Sequence, residues 1–140
     1  MTSSDFKNVL RDFELRPPAT RDELELLERT AGIRLPKDYS EFLLFSNGGV
    51  GMVASDAYLH LWRVGELIEL NAAYQVEEFA PGVFLIGSNG GGEAICFDAS
   101  SGSDAVYFIP FVGMERCYLQ LVGENFKEFI LGFGVTDEIE

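Results

Sequence analysis

Apolar spacing changes period along this chain, and that change restricts the fold more than any other feature. In "SSDFKNVLRDF", Phe6, Val9, Leu10 and Phe13 fall at i, i+3, i+4 and i+7, one stripe of a short helix that Ser3 or Ser4 can cap. Pro17 and Pro18 stop it. Thr20 opens a second helix, with Glu23 three residues on in a capping-box arrangement. Leu24, Leu27 and Ala31 face inward there, and Gly32 follows as the left-handed cap. Pro36 opens a third helix, whose stripe is Tyr39, Phe42 and Leu43. "AYLHLW" alternates instead, with Tyr58, His60 and Trp62 on one face and Leu59 and Leu61 on the other. "RVGELIELNAAY" returns to helical spacing through Val64, Leu67, Ile68 and Asn71. The runs "GVFLIGS", "EAICFDA" and "AVYFIPF" read as strands, the first covered on both faces. Phe126, Phe129, Ile130 and Phe133 make a closing helix, ended by Gly132 and Gly134. Helices first, a strand-rich middle and a helix last indicate an α+β fold. No low-complexity linker divides residues 1–140, so a single domain is expected, with the acidic "VTDEIE" over 135–140 frayed.

Two glycine turns share letters: "LFSNGG" at Leu44–Gly49 and "GSNGGG" at Gly87–Gly92. The first arrives where the third helix must end, so Asn47 and Gly48 are expected to supply the positive φ of a helix cap. No helix N-terminus follows to cradle a phosphate, and no Lys-Ser/Thr follows to make a Walker loop. The second joins two apolar runs and reads as a hairpin or loop. Their flanks differ in period, which rules out an internal repeat.

Charge narrows the partner. The net charge is −13, and it is unevenly spread. Residues 1–46 hold seven Lys/Arg against nine Asp/Glu, whereas residues 47–140 hold three (Arg63, Arg116, Lys127) against fourteen. Such a surface repels nucleic acid and anionic membrane. It attracts a basic protein and speeds the encounter. No apolar run approaches the roughly 18 residues that span a bilayer. The acids in "MTSSDFKNVLRDF" do not suit a signal peptide, so a cytoplasmic protein is expected.

An enzyme needs a constellation, and none is visible. His60 is the sole histidine, flanked by aromatics at strand spacing, and reads as a half-buried structural residue. No Ser occupies a G-x-S-x-G elbow. Glu77 and Glu78 are adjacent and point apart, and Glu93 and Asp98 fall on opposite faces of one strand. Asp98 is expected to cap the turn "ASSG" through its side chain. Cys96 and Cys117 read as small buried thiols, too few and too far apart for a disulfide framework or a zinc site. No metal and no cofactor are expected.

A binding surface is the better reading. Asp56, Glu66, Glu69, Glu77 and Glu78, with Glu93 and Asp104, cluster around loops and strand ends of the acidic part. Asn89 lies in the second glycine turn among them. Tyr58, Trp62 and Tyr74 are candidate anchors, with a place in the core as the alternative reading of each.

"IRLPKDYSEFLLFSNGG" resembles the signature of the SUKH superfamily, which includes the Smi/Knr cell-wall-assembly regulators of yeast and many bacterial immunity proteins. Leu35, Pro36, Tyr39, Phe42, Leu43, Asn47 and Gly48 fit it. "IGSNGGGEAICFDAS" resembles the second element through Ile86, Gly87, Asn89, Gly90, Gly92, Glu93 and Asp98, and Phe126 and Phe129 match the terminal helix. The resemblance runs from about residue 20 to about residue 133. It implies a mixed or antiparallel curved sheet backed by N-terminal helices and one C-terminal helix. It also implies a non-enzymatic antitoxin that blocks a nuclease- or deaminase-type toxin domain. The alternative is a regulatory interaction scaffold; such scaffolds carry disordered arms, of which this chain has almost none.

Overall fold

The computed structural model describes residues 13–53 and 57–132. Among the described residues seven strands form one antiparallel sheet whose spatial order follows the chain: β1 (Phe13–Leu15), β2 (Gly49–Val53), β3 (Ala57–Leu61), β4 (Val83–Ser88), β5 (Glu93–Asp98), β6 (Val106–Pro110) and β7 (Gln120–Gly123). Five α-helices accompany them among the described residues: α1 (Arg21–Ala31), α2 (Lys37–Leu43), α3 (Val64–Ala73), α4 (Val76–Phe79) and α5 (Phe126–Gly132). The fold is α+β with a curved antiparallel sheet, as the sequence and the resemblance together indicate.

The helix punctuation acts where the sequence puts it. The Thr20 hydroxyl accepts from Glu23 N at 3.2 Å while the Glu23 carboxylate accepts from Thr20 N at 2.8 Å. Two otherwise unpaired donors at the start of α1 are thereby satisfied. Gly32, at φ 71° and ψ 30°, closes the helix in the left-handed region. Tyr39 and Phe42 of α2 meet Phe126 of α5 with ring centroids 5.2 and 5.3 Å apart, and Tyr39 also meets Phe97 of β5 at 5.2 Å. This aromatic cluster joins the two helices to the sheet.

Three expectations need correction. The helix through Phe6, Val9 and Leu10 lies outside the described residues, but Phe13, the last position of its stripe, is in β1 opposite Gly51. Its ring is buried and packs over Gly49, where a β-carbon would strike it. Asn47 has no positive φ: α2 ends at Leu43, and the turn that follows places only Gly48 in the left-handed region, at φ 80°. The Asn47 carboxamide instead accepts from Val64 N at 2.8 Å and caps the start of α3. Cys96 is buried, but Cys117 is exposed, because it lies in a 3-10 turn at Arg116–Tyr118 that buries none of its residues.

The sheet thins at one place that matters for the site. β3 pairs with β4 only at His60–Ser88 and Leu61–Gly87, and Trp62 N then donates to Ile86 O at 3.0 Å. Beyond it the Asn71 side chain of α3 takes over. Its Oδ1 accepts from Leu85 N at 2.8 Å, and its Nδ2 donates to Leu85 O and to Leu67 O, both at 2.9 Å. One carboxamide thus replaces a strand residue and fastens α3 to the free edge of β4.

Candidate functional site

Because α3 docks against β4 by this clamp, a cleft of about 660 Å³ opens beside it. The C-terminal turn of α1 contributes Thr30 and Ala31, followed by Gly32 and Ile33. From α3 come Ile68, Asn71 and Ala72, and from α4 come Val76, Glu77 and Glu78. Val83 and Phe84 of β4 and the turn residues Ala99 and Ser100 complete the lining. Between α3 and α4 stands Gln75, at φ 56° and ψ 45°, the non-glycine residue with positive φ among the described residues. Its carbonyl accepts from Glu78 N and Phe79 N, both at 3.1 Å, so the left-handed residue starts α4.

Behind the turn lies an ion pair. The Arg116 guanidinium donates to both Asp98 oxygens, at 3.1 and 2.7 Å, and also to Pro81 O at 3.0 Å. Asp98 caps its own turn as well, accepting from the Ser100 hydroxyl at 2.7 Å. Hydrogen bonds from Arg116 hold the Asp98 carboxyl below the usual carboxylate range; burial opposes them and Ser100 adds to them. The turn role of Asp98 was legible; Arg116, eighteen residues further on, was not. In the same strand, burial, with Asp98 adding to it, pushes the Cys96 thiol up to about 12, so it stays protonated.

The other candidate contact residues fall into separate groups. Tyr58 is exposed, and its ring lies over Gly90 of the second glycine turn. Asn89 builds that turn: its Oδ1 accepts from Gly91 N at 2.8 Å and Glu93 N at 3.3 Å, and its Nδ2 donates to Glu93 at 3.0 Å. Glu66 caps α3, accepting from Arg63 N at 2.9 Å, while Glu69 on the same helix is exposed. Asp104 lies 3.9 Å from Arg34 on the surface. Asp56 lies outside the described residues. Trp62 is in the core, 5% exposed, with its ring parallel to that of Tyr74 at 6.2 Å. Tyr74 is 40% exposed and also meets Phe111 at 4.7 Å, so it is the outer member of this stack that reaches solvent. His60 is half-buried between Val50 and Ser88 on the neighbouring strands.

Among the described residues no three His, Cys, Asp or Glu side chains converge to hold a metal ion. No described helix is long and apolar enough to cross a membrane. The chain is 35% identical over 75 residues to the Bacillus subtilis (strain 168) protein named "Uncharacterized protein YnaB", a match that covers 54% of this chain and 47% of that protein. The aligned part thus spans about half the length of that relative. Over residues 18–132, which take in the α2 motif, the glycine hairpin and the terminal helix, the match is to the SMI1 / KNR4 family (SUKH-1), and the chain belongs to that family.

Proposed function

We propose that this chain is a cytoplasmic, non-enzymatic immunity protein that binds and blocks a basic toxin domain of the nuclease or deaminase kind. The family includes toxin-immunity proteins. The observation that carries the reading is the charge pattern on this scaffold: between Arg63 and Arg116 the chain has eight carboxylates and no Lys or Arg. Asp98 is matched by Arg116 and Asp104 faces Arg34, while Glu69, Glu77 and Glu78 are exposed. A domain that handles nucleic acid neutralises phosphates with its own cations. An acidic protein can occupy that groove, gaining association rate from charge and residence time from a few buried anchors. Tyr58 and Tyr74, exposed on the same acidic part of the chain, are the aromatic anchors of this reading.

Co-expression with the toxin encoded beside this chain tests it. Growth should be restored, and the two proteins should purify together in equal amounts. Killing that persists while this chain is abundant contradicts the reading and favours the regulatory scaffold.

A further inference from the structure

The cleft beside α3 combines three features that point to one kind of occupant. Its volume, about 660 Å³, falls within the roughly 300–1,000 Å³ typical of sites that enclose a ligand. Its apolar lining comes from Ile68, Val76, Val83 and Phe84. Its charged lining is Glu77 and Glu78, and no Lys, Arg or His is among the lining residues.

Backbone charge adds to side-chain charge. The last turn of α1 lines the cleft through Thr30 and Ala31, and the last turn of α3 lines it through Asn71 and Ala72. The C-termini of α1 and α3 carry the negative end of the macrodipole, equivalent to about half an elementary charge each, whereas the four-residue α4 presents its opposite end beneath Glu77 and Glu78. Of the cations near the lining, Arg116 is held by Asp98 and Pro81 O, while Arg29, in the last turn of α1, is exposed and is not among the lining residues. Arg34, next to Ile33, lies 3.9 Å from Asp104. Two carboxylates and two helix C-termini around an apolar lining suit a group that is aliphatic along its stem and cationic at its tip. Among protein side chains, Lys and Arg have that form.

We propose that a protein partner inserts an Arg or Lys anchor into this cleft. Its stem lies on the apolar lining, and its head sits between the Glu77–Glu78 pair and the end of α1. The inference rests on the immunity reading only for the identity of the partner; the recognition chemistry belongs to the cleft itself.

The probe is the blocked dipeptide acetyl-Leu-Arg-amide, titrated into the full chain and followed by amide chemical shifts. Its citrulline counterpart, equal in shape and uncharged, is the control. Shifts should concentrate at Thr30–Ile33 and at the α3–α4 junction. Affinity should fall about tenfold with citrulline, or in Glu77→Gln/Glu78→Gln, as expected when charge-assisted hydrogen bonds are lost. Both glutamates are exposed, so the variant should retain its dispersed spectrum. Shifts elsewhere, or shifts that ignore both the citrulline and the variant, overturn the proposal. Failure of the parent reading looks different. A chain that binds the Arg dipeptide in the cleft but does not protect against the neighbouring toxin sinks immunity and leaves the cleft standing. A chain that protects but shows no cleft shifts sinks the cleft alone.

Discussion

Gln75 holds a backbone conformation that a β-carbon disfavours by roughly 1–2 kcal/mol, and it does so at the junction of α3 and α4, just before Glu77 and Glu78 of the cleft lining. Gln75→Gly should therefore stabilise the chain by about 1 kcal/mol, less the entropy that glycine gives the unfolded state. The thermal midpoint should rise by a few degrees, and a lower midpoint would show that the side chain contributes more than the strain costs. Asp98 makes a pH-dependent contribution. Its carboxyl is held below its ordinary value of about 3.9. The stabilisation is thus complete above that value and lost as the pH falls through the lower, folded one. Asp98→Asn should cost roughly 1.5–3 kcal/mol at pH 7, as expected for hydrogen bonds to charged groups. The difference from wild type should shrink as the pH falls below the ordinary carboxylate range. Urea unfolding of both proteins at neutral pH and below that range checks this, and a gap that does not change with pH would mean that the ion pair adds nothing.

At the scale of elements, the Asn71 carboxamide is the fastening between α3 and β4. Asn71→Ala leaves Leu85 N–H and C=O without their partner, at a cost of about 2–3 kcal/mol. Hydrogen exchange at Leu85 should accelerate well before exchange at Cys96, its neighbour across β5. Equal acceleration at both would place the fastening elsewhere. Gly48 is a second fixed point: a β-carbon there would stand 2.5 Å from Leu61 O, and the residue also holds φ 80°. Gly48→Ala should destabilise by at least about 2 kcal/mol, because close approach and positive φ both count against it. These two cases mark what a sequence can disclose. The capping box of α1, the stripe of α2 and the β4–β5 hairpin were legible because each is specified within a dozen residues by period and turn chemistry. β2 was not, since "GVGMV" has glycines where strand formers belong, and its pairing with Phe13 and Leu59 comes from distant parts of the chain. The left-handed Gln75 carries no local signal. The cleft draws its walls from residues near 30, 70, 83 and 100, so no sequence window contains it. Glu77 and Glu78 were visible as acids, and their shared position against an apolar lining was not.

At the scale of the whole molecule, the uneven charge sets the kinetics of any encounter. Residues 47–140 carry the larger part of the net −13, and the stretch between Arg63 and Arg116 supplies α3, α4 and the central strands β4 to β6. A field of one sign over one part of the surface raises association rates for a cationic partner, and salt screens it over a Debye length of about 10 Å at 0.1 M. The exposed tyrosines and the cleft then govern how long the complex lasts, which is where most differences in affinity arise. Stopped-flow association with the toxin domain encoded beside this chain, measured against ionic strength, tests the central claim most directly. The association rate should fall at least about tenfold between 50 and 500 mM salt while dissociation changes little. No complex at micromolar concentration, or a complex whose association rate is indifferent to salt, would contradict it.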